Sequence, residues 1–503
     1  MPCCTAMISA RQHARRHGES HVLRQATSDA KRMTRSVTAL GTFTEACATM
    51  AAAVASMACA WAAAPGSGAP VMAVVLAISL SRSQLDKDMR GRLEAAIVLP
   101  LVGLVALAVG MLLHRWPWIG AIVFTAGMAL AIWLRRFGPM ARRAGSLIAL
   151  PFVTLLTVPH VHAIGTHGMP GFLIPILVAL IALFWVTATH MLVLRLHGKR
   201  PDDDEYPPVT PTQSPGSPGL PASTRMAIQM AVALAAAFVV GFVFFPERWS
   251  WVVLTAFIVN IGNRGRIDVV HKSGMRVLGA TMGTLFALVL SHQAMPSPPM
   301  TTAIILASLF MGIWLRPFGY AWWALFITIA LALLQGFQGG APIALLLLRL
   351  EEIAIGAIIG VMAAWFVLPV RSTDVVRRRI ANALAALAEA LDPATEHRQA
   401  RAFDDAMDEL ALVAPPFRLA RALTRHRRAK RPADWADTLL DGRDLADTLI
   451  ARQLTPAKVR QAVGVARKSL REPDGLQEAL LHLRQTLEAE LSAAPPSDII
   501  DRA

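Results

Sequence analysis

The chain has 503 residues, of which 54% are hydrophobic and only 17% charged, with a mean hydropathy of +0.47. Soluble globular proteins carry about a quarter charged residues, so this composition excludes an ordinary soluble domain. The net charge of +15 would suit a nucleic-acid partner, but the Lys and Arg residues lie at the ends of apolar segments rather than in one patch, so we predict no nucleic-acid binding.

Residues 1–35 form a basic head. The head carries charge but has no apolar stretch before a cleavage site, so it does not resemble a secretory signal, and we expect the first apolar segment to act as the targeting signal. The four cysteines, two in the head and two in the first apolar segment, show no pairing pattern of an oxidising compartment.

Apolar segments continue through the next three hundred residues. The longer ones approach the roughly 20 residues that span a bilayer, and they lack the polar stripe of a surface helix. The sequence therefore predicts an all-α polytopic membrane protein with about twelve transmembrane helices. The predicted segments are 37–62, 69–81, 94–113, 117–134, 144–160, 170–194, 225–246, 249–262, 276–293, 300–315, 319–338 and 342–369.

Alternate connections between these segments differ in charge. Four of them (81–92, 135–144, the one after 194, and 263–276) each contain about four Lys or Arg, whereas the connections between them contain one or none. Cytoplasmic loops carry the excess of positive charge, so we predict that both termini and the 198–224 connection are cytoplasmic. The predicted location is the bacterial inner membrane, with lipid around the segments.

A short sequence occurs twice. "IWLRRFG" at 132–138 returns as "IWLRPFG" at 313–319, and "AVVLAIS" at 73–79 resembles "WVVLTAF" at 251–257, each about 180 positions later. This spacing predicts two six-helix repeats, 36–197 and 225–370. An even number of spans in each repeat makes the two copies parallel, related by an axis along the membrane normal. Arg135 and Arg316 would then mark the cytoplasmic exit of the fourth helix of each repeat.

Two polar regions flank the second repeat. Residues 198–224 are rich in Pro, Ser and Asp and are predicted to be a cytoplasmic tether. Residues 371–503 carry nearly balanced charge and apolar residues at three- and four-residue spacing, which predicts a cytoplasmic helical domain. Stability or self-association is one interpretation of this domain, and regulation or partner docking is the other.

Three stretches of the second repeat carry a family resemblance: "RVLGATMGTLFALVL" (276–290), "IWLRPFGYAWWALFITIALALL" (313–334) and "LRLEEIAIGAIIGVMAAWFVLP" (348–369). They resemble the fusaric acid resistance (FUSC) and aromatic acid exporter family and, more distantly, plant malate-type anion channels. The resemblance implies a bacterial inner-membrane efflux protein for aromatic carboxylic acids, in some members beside a periplasmic adaptor protein. This chain departs from the family in having only a tether between its halves, and Ala95 and Leu99 where the second half has Gly279 and Gly283.

Three charges interrupt the last predicted span. A charge at mid-helix costs roughly 2.5–3.5 kcal/mol on insertion scales, so such residues usually face the interior and serve a function. Arg349, Glu352, Gly356 and Gly360 share one helix face, and Glu351 points away from it. Arg349 could be a cationic station for a carboxylate, because its fork matches that group, or an ion-pair partner of Glu352 that holds helices together. The glycines would admit another helix closely.

Further candidates are weaker. Arg276, Gly279 and Gly283 share a face in the ninth span, and Glu45 lies about nine residues into the first, where it could relay protons or pair with an arginine. A loop with His160, His162 and His167 has no Cys or acidic neighbour, so we predict a solvated loop and no metal site.

The sequence shows no phosphate-binding loop and no nucleophile–base arrangement, so we predict neither an enzyme nor a cofactor. The leading hypothesis is an efflux transporter for organic acid anions, which the resemblance makes aromatic, of fusaric or hydroxybenzoic acid type. A gated anion channel is the alternative, and a membrane scaffold whose tail recruits partners is a third. A periplasmic adaptor and further copies of the chain are the protein partners left open.

Overall fold

The computed structural model describes residues 41–65, 68–82, 89–157, 170–197, 221–262, 264–293, 297–336, 343–393, 401–424, 427–472 and 474–493. Every regular element in these ranges is helical. The apolar part contains α1 Gly41–Ala63, α2 Ala69–Arg82, α3 Met89–Arg115, α4 Pro117–Trp133, α5 Pro139–Thr157, α6 Leu173–His197, α7 Ala222–Phe244, α8 Trp249–Asn260, α9 Arg266–Gln293, α10 Pro298–Leu315, α11 Tyr320–Gly336 and α12 Ile343–Phe366.

Each predicted segment coincides with one of these helices. Within the described ranges, α1, α3, α4, α6, α7 and α10 are long and apolar enough to cross a membrane, whereas α2, α8 and α11 are apolar but shorter. Helix α12 has 24 residues but carries the three charges noted above. The multi-pass membrane class is thus supported, while the count of twelve spans stays a prediction.

Two helices begin well before their apolar segments. Helix α3 begins at Met89 and α9 at Arg266, five and ten residues before the positions predicted for their spans. In α9, the Asp268 carboxylate accepts the backbone N–H of Arg264 (3.1 Å) and pairs with Lys272 one turn later (2.8 Å). Hydropathy marks where a helix becomes apolar, and these capping interactions extend it into the polar connection. Arg276 therefore lies in the third turn of α9 and not at its start.

The chain divides into two compact units that do not follow the predicted halves. The first unit comprises residues 1–120, 143–201 and 278–350. Its core is rich in alanine and joins helices of both halves, with Ala52, Ala77, Val178, Leu309 and Ala330 in one apolar cluster. Helix α6 packs against both α2 and α3, and α10 packs against α11. The small side chains permit this close approach of helices.

The second unit comprises residues 121–142, 202–277 and 351–503. Helix α7 packs against α8, where a Cβ on Gly241 would lie 2.9 Å from the Trp249 Cβ, and Phe124 of α4 meets Phe238 of α7 edge to face at 5.5 Å. The Gln229 amide donates to the carbonyl oxygens of Val367 and Leu368 at 2.8 and 3.1 Å, beyond the end of α12. Carbonyl groups at the end of a helix have no partner within it, and here the Gln229 side chain from α7 donates to them.

The described residues of the tail in the second unit form seven helices. They are α13 Ser372–Ala390, α14 Arg401–Ala411, α15 Ala414–Leu423, α16 Arg427–Asp441, α17 Arg443–Ala451, α18 Ala457–Ser469 and α19 Leu476–Ala493. Their apolar faces form one continuous core, which includes Ile380, Leu387, Phe403, Leu449 and Leu483. The amphipathic spacing read in the sequence thus corresponds to one buried face on each helix of this bundle.

The connection between α8 and α9 is tied to the start of this tail. Ser372 Oγ accepts the backbone N–H of Ile267 (3.1 Å), and Arg264 donates to the carbonyl of Leu412 (3.1 Å). Gly265 has a φ of +124°, and a Cβ there would lie 2.7 Å from Ser372 Oγ, so only glycine fits. Ile267 also packs against the tail core. The tail therefore holds the polar end of the helix that carries Arg276.

Candidate functional site

Helix α12 buries two of its three charged residues. The Arg349 side chain is 2% exposed and Glu352 is fully buried, whereas Glu351 is exposed. At a rise of 1.5 Å per residue, Arg349 and Glu352 lie about 9 and 14 Å along the helix from its first residue. The pattern that the helical periodicity predicts, with Glu351 turned away from its two neighbours, agrees with these exposures.

Glu352 forms an ion pair with a residue that the sequence reasoning missed. Arg248 Nε donates to Glu352 Oε1 at 2.9 Å, and the two side chains are 26% and 1% exposed. Arg248 directly precedes α8, in the short connection "PERWS". The signal in the sequence was a lone cation in a connection otherwise poor in Lys and Arg. The pairing itself depends on how α8 and α12 pack, which spacing along the chain does not reveal.

Glycines set the register of α8 against α12. A Cβ on Gly356 would lie 2.5 Å from the Val252 carbonyl oxygen and 2.8 Å from the Thr255 Cβ. A Cβ on Gly360 would lie 2.8 Å from the Asn260 amide nitrogen. The two backbones approach so closely because neither glycine has a side chain. This contact, one turn beyond Glu352, holds the carboxylate opposite the start of α8.

Arg276 of α9 is 1% exposed and is among the largest fully buried side chains of the described residues. One turn further along α9, a Cβ on Gly279 would lie 2.6 Å from the Ala324 Cβ, and one on Gly283 would lie 2.7 Å from the Leu325 carbonyl oxygen. Both glycines thus sit where α9 and α11 touch. Ala95 and Leu99, which stand at the equivalent places in the first half, are also fully buried.

The two copies of the repeated motif adopt the same local structure. Each apolar helix ends in a short 3-10 turn, Leu134–Phe137 after α4 and Arg316–Phe318 after α10, and a glycine then leads into the next helix. Arg135 is half-buried and Arg316 is exposed, so neither is enclosed as Arg276 and Arg349 are. The motif is a helix-ending turn, which explains why each apolar run stops at Trp, Arg and Gly.

Glu45 of α1 is exposed among the described residues of its unit, and its charge interacts with that of Arg316. Gln229 occupies the position in α7 that Glu45 occupies in α1, and its amide donates hydrogen bonds to the carbonyl oxygens that follow α12. The His160, His162 and His167 loop lies outside the described residues. Within the described ranges, no cluster of His, Cys, Asp and Glu could hold a metal ion.

The arrangement is chemically simple. The guanidinium groups of Arg276 and Arg349 are buried in helices of an apolar body, and the partly exposed Arg248 is paired with the buried carboxylate of Glu352. A guanidinium presents a planar fork of N–H donors that matches a carboxylate, so these groups can bind and position an organic anion.

Comparison with known protein families matches residues 232–363 to fusaric acid resistance protein-like proteins. The matched region contains Arg248, Arg276, Arg316, Arg349 and Glu352, whereas Glu45 and Arg135 lie outside it. No curated protein matches the chain.

Proposed function

We propose that this chain, whose residues 232–363 match the fusaric acid resistance protein-like family, is a membrane efflux protein that exports aromatic carboxylate anions. The family and the apolar helices support membrane transport. The observation that carries the substrate class is the burial of Arg349 and Arg276 inside apolar helices, because a buried cation in such a body is retained at a high energetic cost.

In this proposal Arg349 is the principal anion station. Its side chain is enclosed, so a bound carboxylate would meet a desolvated guanidinium, where charge-assisted hydrogen bonds are strong. Arg276 is the second enclosed cation, and Arg135, Arg316, Glu351 and Glu45 remain candidates at less enclosed positions. The proposed location is the bacterial inner membrane with both termini cytoplasmic, and an adaptor protein or further copies of the chain would be its partners.

The membrane potential alone can drive such export. A monoanion that leaves a negative cytoplasm gains about 2.3 kcal/mol per 100 mV. This energy supports a roughly fifty-fold outward gradient without a coupled proton. A gated anion channel is therefore the second candidate. The buried charges argue against a mere membrane scaffold, because an anchor has no use for them.

Export by cells tests the proposal. Cells that express the chain are challenged with fusaric acid, 4-hydroxybenzoate and related acids, and release of labelled substrate is measured. We expect faster release than from cells with an empty vector. We expect Arg349→Lys, which keeps the charge but loses the planar fork, to lower export at least tenfold at unchanged protein abundance. Arg136→Lys, the same change at an exposed residue, is the matched control and should leave export within about twofold.

A purely structural role for Arg349 gives another pattern. Loss of one partner of a buried ion pair costs roughly 3–5 kcal/mol in a protein interior, so Arg349→Ala would then lower abundance together with export. Replacing both Arg349 and Glu352 by Leu would also remove the carboxylate that Arg248 binds. Abundance and export should therefore be compared in the single variants. Release of every acid at the rate of the empty vector would overturn the proposed function.

A further inference from the structure

The donors of Arg248 are only partly used by the protein. The Nε group is bonded to Glu352, while Nη2 is buried and has no hydrogen-bond partner among the described residues. Buried polar groups are almost always satisfied, so an unbonded guanidinium nitrogen calls for an explanation. About a quarter of the side chain is exposed, at 26%, so a second carboxylate can approach the guanidinium from its exposed part, while Nη2 itself is buried.

Aromatic side chains lie directly beside this arginine in the chain. Trp249 follows Arg248, and its ring centroid lies 5.4 Å from that of Phe238 and 5.4 Å from that of Phe242. Phe238 is buried, whereas Phe242 and Trp249 are only partly covered. A partly exposed aromatic surface favours a flat apolar ring, which stacks on it or meets it edge to face.

We propose that Arg248, Phe242 and Trp249 form a substrate subsite for aromatic carboxylates at the start of α8. The carboxylate of the ligand binds the Nη side of Arg248, and its ring packs on Phe242 and Trp249. This inference rests on the proposed export function, and it adds a second arginine to the pathway together with a residue pair that selects aromatic acids. The connection before α8 has few Lys and Arg residues, which predicts that this end of α8 faces the outside of the membrane.

Glu352 sets how tightly such a subsite holds its ligand. With Glu352 ionised and paired, the Arg248–Glu352 pair is neutral, and a bound carboxylate places a second negative charge beside Arg248. Like charges repel strongly in a site shielded from water, so Glu352 weakens binding of the anion. Weak binding suits a subsite from which a substrate must leave. The two members of the ion pair therefore have opposite effects on affinity.

Equilibrium binding of labelled 4-hydroxybenzoate to the purified full-length protein tests the subsite. We expect Arg248→Lys to raise Kd at least fivefold, since a single ammonium group lacks the planar fork that could bind both the Glu352 carboxylate and the ligand carboxylate. Glu352→Gln should lower Kd at least twofold, since it keeps an oxygen acceptor for Arg248 Nε but removes the charge. Arg115→Lys is the matched control: Arg115, the last residue of α3, is exposed and, like Arg248, directly precedes a tryptophan, over which it lies at 6.0 Å. Its Kd should equal that of the unchanged protein.

Ring selectivity is tested with Trp249→Leu. We expect this variant to lose at least threefold in affinity for 4-hydroxybenzoate and to keep its affinity for cyclohexanecarboxylate, which lacks the aromatic ring. Size-exclusion profiles establish that each variant is folded. If Arg248→Lys does not fold, the Arg248→Gln, Glu352→Gln double variant, which leaves no unpaired charge, takes its place and should lose binding.

The subsite is overturned if Arg248→Lys and Glu352→Gln move Kd in the same direction, or if both match the Arg115→Lys control. It is also overturned if the unchanged protein does not bind 4-hydroxybenzoate. Failure of the export function gives a different result. The purified protein would then still bind 4-hydroxybenzoate, with Kd raised by Arg248→Lys and lowered by Glu352→Gln, but cells that express it would release no acid faster than the empty vector.

Discussion

At the scale of single residues, helix contacts in this protein depend on glycines at a few positions. Gly356→Ala would place a Cβ 2.5 Å from the Val252 carbonyl oxygen, so α8 and α12 must separate. Overpacking of this kind costs roughly 1–3 kcal/mol. We expect a lower midpoint of thermal unfolding and lower abundance in the membrane, measured on the detergent-solubilised protein.

Gly274→Ala is the control for that variant. Gly274 is exposed in α9, and a Cβ there meets nothing within 4 Å. Alanine favours a helix over glycine by roughly 0.5–1 kcal/mol, so Gly274→Ala should leave the midpoint unchanged or raise it. Equal loss of stability in both variants would contradict the close contact at Gly356.

A second prediction at this scale concerns pH. Burial, with the nearby charge of Asp404, raises the pKa of Asp447 to about 6. The Asp447 carboxylate lies 3.7 Å from Arg443, which pairs more closely with Asp404 and Asp408. Because the folded pKa lies above the unfolded value of about 4, the folded tail binds a proton between pH 6 and 4 that the unfolded tail does not. The contribution of Asp447 to stability therefore increases as pH falls through this window.

Asp447→Asn should remove that dependence. At pH 7 the variant should be more stable by roughly 1 kcal/mol, a value reduced for the solvent that screens this partly exposed group. The difference from the unchanged protein should shrink as the pH falls to 4. The free energy of unfolding of the tail in urea, measured for both proteins across this range, checks the prediction. Two parallel curves would show that the Asp447 pKa is not raised.

At the scale of elements, the tail is the part whose independence can be tested. The seven helices of its described residues share one apolar core, and Ser372 and Leu412 make polar contacts with the rest of the unit. Residues 374–495 expressed alone should be soluble and helical by circular dichroism. Since Ile267 packs against the core from α9, we expect the fragment to be somewhat less stable than the tail in the full chain. A random-coil spectrum would show that the tail is not an independently folded domain.

The sequence predicted the existence of the helices better than their ends. Apolar runs located all twelve helices of the membrane part, because apolar side chains in a long helix leave a clear signal. The start of α9 was missed by ten residues because its first turns are polar, and the pair of Arg248 with Glu352 was missed because it joins two elements far apart in the chain. Gly356, predicted to be a close-packing position from its shared face with Glu352, lies where a Cβ would meet the Val252 carbonyl oxygen of α8.

At the scale of the whole molecule, the halves exchange helices between the compact units. The first unit joins α1–α3, α5 and α6 of the first half with α10, α11 and more than half of α9 from the second, and the second unit joins most of α4 with α7, α8 and most of α12. The fourth helix of each half thus lies in the unit that holds more of the other half's neighbouring helices, but the exchange is unequal. The two-fold repeat therefore stays a prediction. Hydropathy carries no information about such an exchange, so sequence reasoning placed each half in its own domain.

The predicted topology can be tested on the intact chain. The charge difference between alternate connections predicts an external loop around residue 163 and a cytoplasmic connection around residue 212. Single cysteines at these positions, in a chain without its natural cysteines, are treated in whole cells with an impermeant thiol reagent. Position 163 should react and position 212 should react only after the cells are opened. Equal labelling in closed cells would contradict the twelve-span arrangement.

The central claim is that this protein moves aromatic carboxylates across a membrane, and flux through the purified protein tests it most directly. The full-length chain is reconstituted in liposomes loaded with labelled 4-hydroxybenzoate, and a potassium gradient with valinomycin makes the interior negative. We expect release that is faster than from protein-free liposomes, that increases with the potential, and that Arg349→Lys lowers at least tenfold. Release at the protein-free rate at every potential, with or without a pH gradient, would contradict the account.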